Sequence, residues 1–184
     1  ADANVGTDKT VTITSSYGGT DVNNYTITDQ ASTTADVTTK VLTATASAAN
    51  KTYDGNNTAT TTLTFSGLVG SETLGQTVGS TFNDKNVGTG KTVTVNSITL
   101  ADGTGLAANY SISPGQTATA NVTAKALTVS GITASDKTYD GNTVATLDDS
   151  LVTYTGLIGG DVFNGTYTGA FSDKNVDKIG RAHV

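Results

Sequence analysis

The chain has 184 residues and contains no Cys, no Met and no Trp, with a single Pro and a single His. Without Cys it can form no disulfide, and it offers no thiol for catalysis or metal binding. The same absence is compatible with export, where unpaired thiols form wrong disulfides. Since the sequence has neither an initiator Met nor a signal peptide, we expect an internal piece of a longer chain.

Positive charge and long apolar runs are also scarce. Ten Lys and Arg stand against 16 Asp and Glu, which gives a net charge of −6 and a pI near 4.4. Binding of nucleic acid would require a basic face. No apolar stretch approaches the roughly 20 residues that span a bilayer. We therefore expect neither nucleic-acid partners nor membrane insertion.

Thr and Gly are abundant, with 39 and 21 residues respectively. Thr suits strands because its branched Cβ packs well on a pleated surface, and Gly marks turns. Hydrophobic residues make up 35% of the chain, which is enough for small cores. This composition predicts an all-β protein.

Long segments of the sequence occur more than once, in the same order and at a period of about 85 residues. The hexapeptide KTYDGN is found at 51–56 and at 137–142. The other recurring segments are ADVTTKVLT with ANVTAKALT, NNYTI with ANYSI, FNDKNV with FSDKNV, SGLVGSE with TGLIGGD, and NVGTDKTVTI with NVGTGKTVTV. We predict the back part of one repeat at 1–39, a complete repeat at 40–124 and the front part of a third at 125–178, since such a period fits small domains in tandem.

Within the complete repeat, alternating apolar residues predict at least six short antiparallel strands. The residues expected to point inward are Leu42, Ala44, Ala46, Leu63, Phe65, Val93, Val95, Tyr110 and Ile112. Ile98 and Leu100 fall out of phase with Val93 and Val95, which predicts a bulge or turn near 96–97. The fold expected for each repeat is a small immunoglobulin-like β-sandwich, and the alternative is a β-grasp-like unit with one short helix.

The two Tyr-Asp-Gly triplets admit a structural and a functional interpretation. In the structural one, Asp accepts a backbone hydrogen bond, Gly supplies a positive φ, and Tyr packs over the turn into the core. The triplets concerned are Tyr53, Asp54, Gly55 and Tyr139, Asp140, Gly141. A Ca²⁺ site would need six to eight oxygen ligands, and no other acidic residue lies within three positions of Asp54 or Asp140. We expect structural turns, with no metal and no cofactor.

Catalytic motifs are weak. Val87–Thr92 (VGTGKT) resembles the end of a phosphate-binding loop, but Lys85 occupies the position of the first Gly and a strand follows instead of a helix. We interpret this segment as a hairpin turn. A Ser-His-Asp triad would need His183, the only His of the chain. The sequence does not predict an enzyme.

The ordered series KTYDGN, FNDKNVGTGKTVTV and ANYSI resembles the YDG-type repeats of large bacterial surface proteins, including filamentous-haemagglutinin-like adhesins. The resemblance covers residues 1–177, and the pattern stops at Asp177. It implies a secreted or cell-surface location and a stalk or spacer role, with neighbouring repeats of the same chain as partners. It implies no catalytic residue.

The last residues break the pattern. Ile179–Val184 reads like the translation of a widely used sequencing adapter, so we expect an adapter-derived tail on a metagenomic fragment. The alternative to a spacer is an adhesion module that binds a host glycan or surface protein through its loops. Such a module usually exposes Tyr or Trp in a concave site, but Trp is absent and the Tyr residues follow the core pattern, which favours the spacer.

Overall fold

A computed structural model describes residues 2–176 of the chain, and this part is all-β, as predicted. It contains two three-residue 3-10 turns, Val22–Asn24 and Ala107–Asn109, and no helix in it is long and apolar enough to cross a membrane. The strands are β1 Gly6–Thr12, β2 Ser32–Val37, β3 Lys40–Val41, β4 Thr43–Ala48, β5 Lys51–Thr52, β6 Thr58–Ala59, β7 Thr61–Ser66, β8 Leu74–Phe82, β9 Gly88–Asp102, β10 Tyr110–Ser111, β11 Thr117–Thr123, β12 Thr128–Ser130, β13 Thr133–Ala134, β14 Val144–Ala145, β15 Leu147–Asp148, β16 Thr153–Thr155 and β17 Gly169–Ala170.

The residues group into two compact units. The first unit contains the residues up to Lys51 together with Asn57–Val122, and the second contains Thr52–Asn56 together with the residues from Thr123 onward. The first partial repeat and most of the complete repeat therefore lie in one unit. The Tyr-Asp-Gly turn of the complete repeat belongs to the other unit.

The complete repeat is built on a five-stranded sheet with the order β5-β11-β9-β8-β6. A separate strand pair is formed by β4 and β7. Short connections join this pair to the two edge strands of the sheet, since β4 leads directly into β5 and β6 leads directly into β7. The side chain of Gln76 on β8 links the sheet to β7: it accepts the Leu63 N–H at 3.2 Å and donates to the Leu63 carbonyl at 2.7 Å.

One strand pair departs from the predicted antiparallel arrangement. β3 and β10 pair in parallel, with Tyr110 opposite Lys40 and Ser111 opposite Val41. These strands lie far apart in sequence, so alternation of apolar residues gives no indication of their relative direction. All the sheets in residues 2–176 are open, and the pairings establish an all-β repeat without establishing the immunoglobulin-like sandwich.

The predicted bulge in β9 is confirmed. Gly79 lies opposite Ser97 and Ser80 lies opposite Val95, so Asn96 is an extra residue without a partner position on β8. An extra residue shifts the alternation of faces by one position. The bulge therefore accounts for the change of phase between Val95 and the half-buried Ile98.

All the buried hydrophobic residues among those described lie in the complete repeat: Leu42, Leu63, Phe82, Val93, Val95, Tyr110, Ala120 and Val122. Five of the predicted inward residues are among them, and the other four, Ala44, Ala46, Phe65 and Ile112, are half-buried. The pattern analysis did not find Phe82, Ala120 and Val122; Phe82 is the last residue of β8 and precedes a polar turn.

The partial repeats contain the strand pairs of the complete repeat in the same register. β1–β2 matches β9–β11, including a register shift between Gly6 and Lys9 that corresponds to the shift next to Gly88. β12–β16 and β13–β15 match β4–β7, and β14–β17 matches β6–β8. The expected tail at 179–184, and the last two residues of the predicted 125–178 segment, lie outside the described residues.

The location of the core predicts uneven protection against hydrogen exchange. Amides of residues 40–124 should exchange slowly, whereas those of 2–39 and 125–176 should exchange fast, because short strand pairs without a buried core open readily. Native-state exchange followed by mass spectrometry will measure both rates. Equal protection from residue 2 to residue 176 would contradict this expectation.

Candidate functional site

Two of the recurring motifs, KTYDGN and F-x-D-K-N-V, meet in the structure. The Phe82 N–H donates to the Asn57 carbonyl at 2.7 Å, and the Lys51 ammonium lies 5.7 Å from the centre of the Phe82 ring. The contact between Lys137 and Phe171 repeats this arrangement, with 5.6 Å between ammonium and ring centre. A cation over an aromatic face is attracted by the ring quadrupole. We call this combination of the two motifs the motif pair.

The Tyr-Asp-Gly turns have the same geometry in both copies. Asp54 accepts the N–H of Asn56 at 3.2 Å, and Asp140 accepts the N–H of Asn142 at 3.1 Å. The glycine that follows each Asp has a positive φ, which is 84° at Gly55 and 81° at Gly141. Residues with a Cβ rarely adopt such a φ, so Gly fixes the turn.

The two tyrosines have different environments. Tyr53 is half-buried, and its hydroxyl donates to the Asp161 carboxylate, with oxygen distances of 2.8 and 2.9 Å. Tyr139 is exposed, so the prediction that both tyrosines pack into a core is wrong for this residue. Near Tyr53, a Cβ on Gly55 would lie 2.7 Å from the Ile158 side chain. A larger residue at position 55 would therefore collide with Ile158 as well as strain the backbone.

The F-x-D-K-N-V motif forms a second repeated turn. Asp84 accepts the N–H of Asn86 at 2.7 Å and forms an ion pair with Lys91. The aliphatic part of the Lys91 side chain passes close to Gly88, where an added Cβ would lie 3.1 Å from it. The hydrogen bond from the Lys91 ammonium holds the pKa of Asp84 below its usual value. The ion pair of Lys9 with Asp2 occupies the same position in the first partial repeat.

The segment that resembles a phosphate-binding loop is a bulge within β9, so its interpretation as a hairpin turn is wrong. Lys91 lies opposite Ala120 and Gly88 opposite Val122, which leaves two residues of β9 facing Asn121 alone. Gly90 has a φ of 59° there, and its N–H donates to the Asn121 side chain at 2.8 Å. The turn between β8 and β9 comes before this bulge, after Phe82.

The Tyr110 hydroxyl joins β10 to the loop between β7 and β8. The Tyr110 hydroxyl donates to the Glu72 carboxylate and accepts the Val69 N–H at 3.1 Å. The hydrogen bond to Glu72 raises the pKa of Tyr110. The sequence indicated that Tyr110 points inward, but its partners come from a distant loop and could not be found by spacing.

The acidic groups at these turns serve as hydrogen-bond acceptors for the chain itself. Asp54 and Asp84 each bind a backbone N–H two residues ahead, which is the geometry of an Asx turn. Within residues 2–176, no group of three or more acidic or His side chains is placed to hold a metal ion. At these two turns the Asp carboxylates fix the geometry of the backbone.

Comparison with known proteins gives one family. The model of the YDG domain family matches the chain twice, over residues 38–120 and over residues 123–182. No curated protein and no solved structure matches the chain.

Removing the Asp54 carboxylate tests the role of the first turn. Asp54→Ala should lower the free energy of unfolding of the complete repeat by about 1 kcal/mol, because the Asn56 N–H loses its acceptor. Urea denaturation will measure the change. Asp140→Ala, which makes the same change in the partial repeat, should leave that transition unchanged. A large stabilisation by Ca²⁺ that depends on Asp54 would show a metal site instead.

The lowered pKa of Asp84 predicts an acid-dependent contribution to stability. Since the pKa in the folded state lies below the reference value of 3.8, the contribution is fully present above that value and is lost as the pH falls through the folded pKa. Asp84→Asn should remove this part of the decline in acid, as measured by denaturation at a series of pH values. Asp21→Asn, which removes a charge from an exposed loop, is the control, and an identical acid profile for the wild type and Asp84→Asn would contradict the assignment.

Proposed function

Because the chain belongs to the YDG domain family, we propose that it is a non-catalytic spacer in a secreted or surface-exposed bacterial protein of the adhesin type. In this function, tandem repeats extend the chain and present other parts of the molecule. We further propose that each complete repeat is a small sandwich, in which the β4–β7 pair forms the second layer over the five-stranded sheet.

The proposal rests on one observation: the same structural unit recurs along the chain with the same strand register. Thr12 faces Ser32 in β1–β2, as Thr94 faces Thr117 in β9–β11. Such a chain uses its length for copies of one structural unit. Repeated copies of one unit suit an extended support better than a single binding or catalytic site.

Contacts within the second unit support the coupling of successive repeats. The Tyr53 hydroxyl, from the turn of the complete repeat, is bonded to the Asp161 carboxylate of the following partial repeat. Ile158 of the same loop occupies the space beside Gly55. The turn of one repeat and a loop of the next therefore pack together within this unit.

The surface composition agrees with this function. Most Thr positions in the strands of the complete repeat are exposed, for example along β4 and β7, where Thr alternates with half-buried or buried residues. Together with the net charge of −6, these polar faces favour solubility and oppose association of the exposed strand faces of different molecules.

One observation favours a second candidate, a module that binds a glycan or a host protein. Tyr17 and Tyr25 are exposed, contrary to the expectation that Tyr residues follow the core pattern, and with Asp21 they line a hollow of about 600 Å³. The Tyr17 hydroxyl also donates to Asp29. Aromatic rings beside carboxylates are common in sugar sites.

Binding to a panel of host glycans and surface proteins separates the two candidates. A spacer should bind none of them, whereas a binding module should bind at least one ligand and lose it in Tyr17→Ala. Tyr139→Ala, at an exposed tyrosine outside the hollow, is the matched control. In parallel, antibodies against the chain should label intact cells that carry the full gene, and labelling only after permeabilisation would contradict the surface location.

A further inference from the structure

A recurring loop that ends in an acidic residue has the same backbone in both of its copies. We call this segment the acid loop; its copies are residues 66–72 (SGLVGSE) and 155–161 (TGLIGGD). The glycine at its second position has a φ of 102° in each copy. The N–H of Glu72 donates to the Val69 carbonyl at 3.1 Å, and the corresponding bond of Asp161 measures 3.0 Å. The two loops therefore hold their terminal acid in the same way.

The acid binds a tyrosine hydroxyl in each copy, but the two tyrosines occupy different positions in the repeat. Glu72 accepts the hydroxyl of Tyr110, which belongs to the same repeat. Asp161 accepts the hydroxyl of Tyr53, which belongs to the Tyr-Asp-Gly turn of the preceding repeat. An ionised carboxylate has two oxygens and about four acceptor sites, so one acid can accept both hydroxyls.

A second contact between successive repeats involves the residue next to Tyr110. The Asn109 side chain accepts the Val5 N–H at 2.9 Å and donates to the Asn4 side chain at 2.9 Å. Asn4 corresponds to Asn86, the Asn of the F-x-D-K-N-V motif. Here too, a recurring motif of one repeat contacts a recurring segment of the next. The segments that recur in the sequence thus meet where one repeat follows another.

We propose that the acid of the acid loop is the docking point for the Tyr-Asp-Gly turn of the preceding repeat. The same carboxylate accepts two tyrosine hydroxyls, one from that turn and one from its own repeat. Glu72 thus recognises the tyrosine of such a turn wherever a repeat that carries one precedes it, as Asp161 recognises Tyr53. The docking needs only two successive repeats, so it holds or fails independently of the spacer function and the surface location.

Both partners in this contact are fixed before they meet. The Tyr-Asp-Gly turn is closed by the bond from the Asn56 N–H to Asp54 and by the positive φ of its glycine. The acid loop is closed by its own backbone bond, which in the later copy joins Asp161 to Ile158. Groups that are already ordered lose little conformational entropy on association. A single hydroxyl-to-carboxylate bond can therefore contribute measurably to the docking.

A disulfide in the full chain reports the contact, since the natural chain has no Cys. A Cβ on Gly55 would lie 3.9 Å from the Ile158 Cβ, which is the separation found in disulfides. Gly55→Cys with Ile158→Cys should therefore form an intramolecular disulfide in a glutathione buffer. Gly141→Cys with Ile158→Cys is the matched control, because its turn has the same form but a Cβ there meets nothing within 4 Å. This control should stay reduced, and a disulfide formed in the control instead would overturn the proposal.

The effective concentration of the two thiols, measured against glutathione, reports how well the turn is docked. Adding Tyr53→Phe should lower it by up to about tenfold, the equivalent of one hydrogen bond to a charged group. Asp161→Ala should also lower it, whereas Asp161→Glu, which supplies the acid found at position 72, should keep it near the starting value. Tyr139→Phe, the same change in the other turn, should have no effect. A value unchanged by Tyr53→Phe would exclude the tyrosine as the docking residue.

A lengthened chain tests whether Glu72 has the same role. A second copy of residues 40–124, inserted after residue 124, places two complete repeats in succession, because KALT at 125–128 repeats KVLT at 40–43. Gly55→Cys in the first copy and Val69→Cys in the second should form a disulfide, and Glu72→Ala in the second copy should weaken it. The same two Cys within one copy should stay reduced. If no disulfide forms between the copies, the proposed role of Glu72 is wrong, even if the natural chain crosslinks through Ile158→Cys.

Discussion

The antiparallel pairing of β8 with β9 is the interaction on which the rest of the complete repeat depends. It places Phe82 of β8 against Val93 of β9, and both are buried. The bulge at Asn96 then keeps later residues of β9 in phase with the core. Within residues 2–176, the corresponding Val11 and Phe171 have no such pairing and are exposed.

Because this Thr-rich chain has few large side chains to pack, its turns fix much of the backbone geometry. In the same side-chain bond, the N–H two residues ahead donates to an Asp carboxylate. This bond occurs at both kinds of turn and in every repeat: Asp2, Asp54, Asp84, Asp140 and Asp173. Lys51 and Lys91 fix the same two turns through contacts with Phe82 and Asp84. The residues that recur in the sequence are thus mainly those that determine the direction of the backbone.

The sequence predicted features that depend on neighbouring residues. The all-β class, the bulge at Asn96 and the inward position of Leu63 follow from alternation and composition. The parallel pairing of β3 with β10 and the contact of Lys51 with Phe82 join distant segments, so no local pattern indicates them. The recurrence of both motifs at similar intervals, from Lys51 to Lys137 and from Phe82 to Phe171, was the available signal for the contact of Lys51 with Phe82. The exposure of Tyr139 could not be predicted, since burial of a turn residue depends on what packs over it.

The parallel direction of β3 and β10 has a mechanical consequence. β3 opens the complete repeat, and β10 lies near its end, joined to β3 by bonds that include Leu42 N–H to the Ser111 carbonyl at 2.8 Å. Tension that pulls β3 toward the start of the chain and β10 toward its end acts on parallel strands in opposite directions along their length. The hydrogen bonds between them are then loaded together, in shear, instead of opening one after another as in a peeled hairpin. This small strand pair is therefore placed to act as a clamp that resists stretching of the repeat.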